Sequence, residues 1–214
     1  MRTSLRYCDS FDIHPTSSTP AIKTFRANGL YDPDFSTGGH QPRGFDQFCD
    51  VFKKYTVKGA KISVVFSYEG YHHPVATTST GNPLQQITVT ESNVPSVPAV
   101  VGLVRPSVEA TPATGNIWLQ QEIDKSKWIT MSPQSGPGAV SHRTGVVDFF
   151  GKDFLVGADG YTGTSSSDPT NQVYFHIMTG LQHDNYSIGA VQVRANVTIT
   201  YDVVWTEPKP LPAS

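Results

Sequence analysis

One stretch constrains this chain more than any other. Val191, Val193, Ala195, Val197, Ile199, Tyr201, Val203 and Trp205 alternate with Gln192, Arg194, Asn196, Thr198, Thr200 and Asp202. Side chains on a strand point to opposite faces in turn, so this pattern is one long strand with an apolar and a polar face. A strand that long sits centrally in a sheet or bridges sheet ends. The EPKPLP run that follows is expected to stop the pairing, because proline donates no ladder hydrogen bond.

The rest of the chain is cut into short pieces. Gly (18) and Pro (16) are spread over 214 residues, and the longest runs without either are 1–14, 45–58, 116–132 and 190–207. That spacing excludes a coiled coil or helical bundle and favours strands joined by turns. No window approaches 18 apolar residues, so no membrane-spanning helix is expected. Residues 1–14 hold no apolar signal core. Cys8 and Cys49 fall in no metal or redox spacing, and reduced thiols are the expectation.

Residues 2–14 alternate, with Leu5, Tyr7, Phe11 and Ile13 apolar and Arg2, Ser4, Arg6 and Ser10 polar. Strands are also expected at 21–27, 55–71, 99–105, 127–132, 145–150 and 172–180, with one more at 86–90 inside a long 74–98 loop. Residues 116–124 fit a short helix or a strand. Phe45, Phe48, Cys49 and Phe52 recur at helical spacing. The expectation is a helix over 45–55, with Asp46 in its first turn and Lys53 and Lys54 in its last. The stretch 28–44 is long for a loop and rich in turn residues, which marks it as functional or interfacial.

No catalytic signature stands out. G-x-S-x-G, Walker A and H-E-x-x-H motifs are missing. Gly136-Pro137-Gly138 lacks the third Gly of a dinucleotide loop. His72 and His73 are adjacent on a strand end and point to opposite faces. Asp32-Pro33-Asp34 reads as a turn, since the rest of a calcium loop is missing. Asn185-Tyr186-Ser187 and Asn196-Val197-Thr198 match the glycosylation pattern, but no secretion signal accompanies them. No cofactor, metal site or enzyme activity is expected.

Charge is sparse and uneven. The net charge is −2, but residues 1–61 hold nine Lys/Arg against six Asp/Glu, while residues 62–214 hold seven against twelve. The basic end is the N-terminal end. In a jelly roll the first and last strands are neighbours. Arg2, Arg6 and Arg194 would then share a face and gather there, with Lys58 and Lys61 extending the patch.

Several segments resemble a known family. Phe25-Arg26-Ala27-Asn28-Gly29-Leu30-Tyr31-Asp32-Pro33-Asp34 leads into Gly38-Gly39-His40-Gln41-Pro42-Arg43-Gly44-Phe45-Asp46-Gln47, then Tyr55-Thr56-Val57 and Gly59-Ala60-Lys61. Asp148-Phe149-Phe150-Gly151-Lys152, Tyr174-Phe175-His176-Ile177 and the final strand through Glu207-Pro208 fit the same pattern. Together they resemble capsid proteins of circular Rep-encoding single-stranded DNA viruses, the circovirus-like group. Gly39–Gln47 is the most specific part.

The resemblance implies an all-β fold: a single eight-stranded antiparallel jelly-roll sandwich with long loops and one or two short helices. Residues 1–207 would be the shell domain and 208–214 a tail. It implies a virion protein that self-assembles into a T=1 icosahedral shell of 60 copies enclosing a circular single-stranded DNA genome. Assembly would take place inside the host cell, in the nucleus, with no membrane partner. Tyr31, Asp32, Asp34, His40, Gln41 and Arg43 would lie at the subunit interface. Such proteins usually begin with an Arg/Lys-rich arm. Here only Arg2 and Arg6 precede the first strand's core, so weaker nucleic-acid binding is expected. The alternative from another class is a carbohydrate-binding β-sandwich module, which solvent-exposed Trp118 or Trp128 would favour.

Overall fold

The long C-terminal alternation folds as β8 (Ala190–Pro208) and is paired on both sides. On one side lies β1 (Arg2–Ile13), antiparallel and in register from Arg2↔Val204 to Ile13↔Val193. On the other lies β3 (Phe52–His72), from Phe52↔Pro208 to His72↔Ala190. The two ends of the chain are therefore stitched together in one sheet. The structure is a computed structural model that describes residues 1–16, 18–36, 39–72, 99–112, 115–151, 156–182 and 190–210.

The remaining strands are β2 (Ala21–Arg26), β4 (Val100–Ser107), β5 (Lys127–Met131), β6 (Gly138–Gly145) and β7 (Tyr174–Leu181). They complete two four-stranded sheets, ordered β1-β8-β3-β6 and β2-β7-β4-β5. Two facing antiparallel sheets of this order make an eight-stranded jelly roll. The apolar residues of the C-terminal alternation, Val191 to Trp205, are all buried, and they meet Phe25, Val104, Phe175 and Ile177 of the opposing sheet in one core.

Three short helices interrupt the strands: α1 (Phe45–Val51), α2 (Ile117–Glu122) and α3 (Val147–Phe150). The ambiguity at 116–124 resolves as α2. α1 docks through its aromatic side: Phe48 stacks on Trp205 at 5.1 Å, and Phe45 meets Tyr55 edge-on at 5.6 Å. The expected helix over 45–55 is shorter than its apolar period suggests. Phe52 already pairs with Pro208 and Lys54 with Thr206, so the ladder with β8 replaces the last helical turn. The same ladder carries pairing into the EPKPLP run as far as Pro208.

Two more corrections lie between 132 and 150. Residues 138–145, expected to be loop, form β6 against β3. Its inward positions are Gly138, Val140, His142 and Thr144, too polar a set for alternation to be read. The expected strand at 145–150 is instead α3. Asp148 accepts hydrogen bonds from the Gly145 amide at 2.6 Å and the Thr144 hydroxyl at 3.4 Å, and these turn the chain. Strand β4 runs past its expected end through Pro106. Beyond Val104 it has lost β5 as a neighbour, so the missing proline donor breaks no bond on that side. The strand expected at 86–90, the rest of 74–98, and His73, His183 and Asn185-Tyr186-Ser187 lie outside the described residues.

Candidate nucleic-acid interface

The outer face of the β1-β8-β3-β6 sheet carries a row of cations. On β1 the even-numbered residues face solvent. Register then sets the row: Arg6 opposes Thr200, Thr200 opposes Lys61, and Lys61 opposes Arg143. Arg6, Lys61 and Arg143 are all exposed. The row crosses all four strands, about 14 Å at the usual inter-strand spacing. Like charges directly opposite one another destabilise a sheet. The Lys61–Arg143 pair is such a cost, eased by the Asp202 carboxylate that lines the same hollow.

Next to this row lies a cleft of about 460 Å³, lined by Arg2, Lys58, Gly59, Arg143, Asp148 and Asp202 among others. Gly59 and Gly145 face each other across β3 and β6 and supply its floor. A Cβ on Gly145 would sit 3.0 Å from the Lys58 carbonyl oxygen, so a side chain there would crowd the backbone beneath. A register shift between Val57 and Gly59 puts Lys58 at a bulge, beside the cleft. A smaller hollow of about 140 Å³ continues it over Ser4, Lys61, Arg143 and Thr200.

One carboxylate organises the cleft. The Arg2 Nε donates to Asp202 Oδ1 at 2.7 Å. That hydrogen bond first, then the charges of Arg2, Lys58 and Arg143, holds Asp202 below the usual carboxylate range. Asp202 and Asp148 are the acids of the cleft, against Arg2, Lys58, Arg143 and the neighbouring Lys61 and Arg6. The balance is positive. Cations spread across a shallow face suit a chain of phosphates and read no base edge.

Of the cations expected from sequence, Arg2, Arg6, Lys58 and Lys61 come together at this end of the sheet. Arg194 does not. It shares the face but opposes Asp12, ten residues from Arg2 along β1, about 34 Å at strand rise. Like Arg2 on Asp202, it is paired with a carboxylate: Nε and Nη2 donate to the two Asp12 oxygens at 2.8 and 3.1 Å. Arg143 was missed because β6 was not legible as a strand.

The residues expected at a subunit contact sit on the 28–44 segment, of which residues 33–35 fold back along β2. Arg26 N–H donates to the Pro33 carbonyl at 2.7 Å and Phe35 N–H to Thr24 at 3.1 Å. Asp34 is buried and accepts from Lys23 Nζ at 2.6 Å and from the Ser36 amide at 2.9 Å, so it shapes the loop from within. Asp32 faces Arg26 at 3.0 Å, and Gln41 is half-buried. Tyr31, Phe35, His40 and Arg43 are exposed, and the His40 ring stacks on Tyr7 with centroids 4.6 Å apart. Among the described residues, no group of His, Cys, Asp and Glu is arranged to hold a metal ion.

No family model matches the chain, and no curated protein matches its sequence. Solved structures similar to it include the T=1 subviral particle of a Penaeus vannamei nodavirus capsid protein deletion mutant, at 11% identity, 98% of each chain covered and a TM-score of 0.46. The decameric BFDV capsid protein is similar at 11% identity, over 97% of this chain and 99% of that one, with a TM-score of 0.44. Turnip Yellow Mosaic Virus is similar at 7% identity, over 100% and 97%, with a TM-score of 0.40. Viral capsid proteins thus stand among the solved structures similar to this chain.

Proposed function

We propose that this chain is a viral coat protein whose role is structural rather than catalytic. It self-assembles into a T=1 shell of 60 copies around a circular single-stranded DNA genome. The observation that carries the reading is the jelly-roll strand order, β1-β8-β3-β6 facing β2-β7-β4-β5, in a chain whose Gly39–Gln47 segment resembles circovirus-like capsid proteins. That same resemblance supports the finer parts: the virion as location, nuclear assembly, and residues 1–207 acting as one shell domain with a tail at 208–214.

Assembly draws support from the 28–44 segment. It presents Tyr31 and Phe35, 41% and 40% exposed, beside His40 and Arg43. Large aromatics and arginine are enriched where protein surfaces meet. Genome contact draws support from the cation row. A single subunit offers few phosphate contacts and binds weakly. Repetition around a closed shell multiplies that through effective concentration.

Negative-stain microscopy and light scattering of the purified chain test the reading. Closed particles of uniform size are expected. A 23.3 kDa monomer at every salt and pH tried would sink it.

A further inference from the structure

The opposite face of the molecule holds a different kind of site. Helix α2 lies over the outer face of the β2-β7-β4-β5 sheet. Ile117 joins Val101, Leu103 and Met178 in a second apolar cluster there. The helix sits close because Gly180 on β7 has no side chain; a Cβ at that position would come within 2.7 Å of the Ile117 Cβ. The Ile117 amide also donates to the Ser18 carbonyl at 2.8 Å. The helix is short, but these two contacts set its position on the sheet.

Between α2 and the edge strand β5 runs a groove of about 560 Å³. Trp118 and Gln121, one helical turn apart, form one wall. Trp128 and Thr130, two residues apart on β5 and so on one face, form the other. Gln182 closes one side. The two indoles are 37% and 51% exposed. Among the described residues, no ionisable side chain lines the groove.

We propose that this groove binds a neutral saccharide. The ligand class follows from the lining. Two exposed indole faces offer flat apolar surface with a polar edge, which suits the C–H face of a pyranose ring. The amides of Gln121 and Gln182 and the Thr130 hydroxyl each donate and accept, as a ring of hydroxyl groups requires. An anionic glycan or a phosphate would need a cation, and none stands among the described residues of the walls. A dry contact with another copy of the chain would favour apolar groups where the two amides and the hydroxyl stand. The site is independent of the shell reading, since a free subunit could use it as well as a particle.

The test is a titration of the purified chain with N-acetyllactosamine, maltotriose and N,N′-diacetylchitobiose, with a heparin disaccharide as charged control. Tryptophan fluorescence and saturation-transfer NMR follow binding. At least one neutral probe is expected to saturate, with little dependence on salt. Trp118→Ala and Trp128→Ala should each weaken it by about tenfold, the scale of truncating a central aromatic contact. Trp128→Phe should lose less. Circular dichroism checks that each variant is folded. The proposal is overturned if no neutral probe saturates, or if only the heparin probe binds. It is also overturned if assembled particles protect both indoles from N-bromosuccinimide while dissociated subunits do not, which would assign the face to a contact between copies.

Discussion

Lys61 on β3 stands directly opposite Arg143 on β6, on the solvent face of the sheet, with Thr200 and Arg6 continuing the same row. Two cations in register repel unless an anion lies across them. Removing both, as Lys61→Ala with Arg143→Ala, is expected to stabilise the isolated subunit by up to about 1 kcal/mol. The same variant should bind a single-stranded oligonucleotide more weakly, with the slope of log affinity against log salt reduced by about 1.4. Fluorescence anisotropy across a salt series, with thermal melts, reads both. Unchanged slope and affinity would remove this row from any role with nucleic acid.

Arg194 provides the contrast. It shares the sheet face but is held by both oxygens of Asp12. Arg194→Ala should leave oligonucleotide affinity unchanged and lower stability only slightly, as loss of an exposed pair does. A loss of binding comparable to that of Arg143→Ala would show that the active surface extends along the full strand.

Asp202 restrains the cleft. Asp202→Asn removes its charge and is expected to tighten oligonucleotide binding about fivefold, from roughly 1 kcal/mol of relieved charge repulsion near the surface. Arg2 and its neighbours hold the Asp202 carboxyl below its ordinary range. Its charge therefore persists well into acid, and the wild type should gain this affinity only below the normal carboxylate range. Anisotropy titrations from neutral pH downward test both points. Weaker binding by Asp202→Asn would mean that the carboxylate orients Arg2 more than it repels phosphate.

His176 makes the fold acid-sensitive. Its ring is fully buried between the Thr24 hydroxyl and the Glu109 carbonyl, each 2.9 Å away. Burial pushes its pKa down to about 4. In the unfolded chain the imidazole titrates near its ordinary value of about 6.5. The unfolded state thus binds the extra proton first. Stability is full above that value and falls as pH drops toward 4, by about 3 kcal/mol across the interval. Urea unfolding of the wild type and His176→Gln at pH 7 and pH 4 should show a smaller acid loss in the variant. Equal losses would place acid sensitivity elsewhere.

Asp168 anchors the 28–44 segment. Its carboxylate accepts from the Tyr55 hydroxyl at 2.9 Å and the Tyr31 amide at 3.0 Å, with Arg26 at 3.7 Å. Asp168→Ala leaves Arg26 with less countercharge and the Tyr31 amide without its partner. The expected cost is about 3 kcal/mol, with particle yield falling in step. Thermal melting paired with light scattering checks it. Normal particles from a destabilised subunit would separate this loop from assembly.

The sequence by itself determined what is local. Alternation at 191–205 and 2–14 marked two strands and told which side chains face out, because strand parity is a property of neighbouring residues. The stripe of Phe45, Phe48 and Cys49 marked α1 for the same reason. Gly59 and the polar run at 138–145 carried little signal. β6 owes its existence to the backbone of β3 rather than to an apolar pattern of its own. Only the tertiary structure decided which cations meet. Parity places Arg2, Arg6 and Arg194 on one face, but the register of strands nearly two hundred residues apart separates Arg194 from Arg2 and brings in Arg143. That register is set by packing Val64, Ile62 and Ile199 into a shared core. A one-residue slip would turn those side chains to solvent. The same holds for Trp118 and Trp128, which face one groove because Gly180 lets Ile117 settle on the sheet between them.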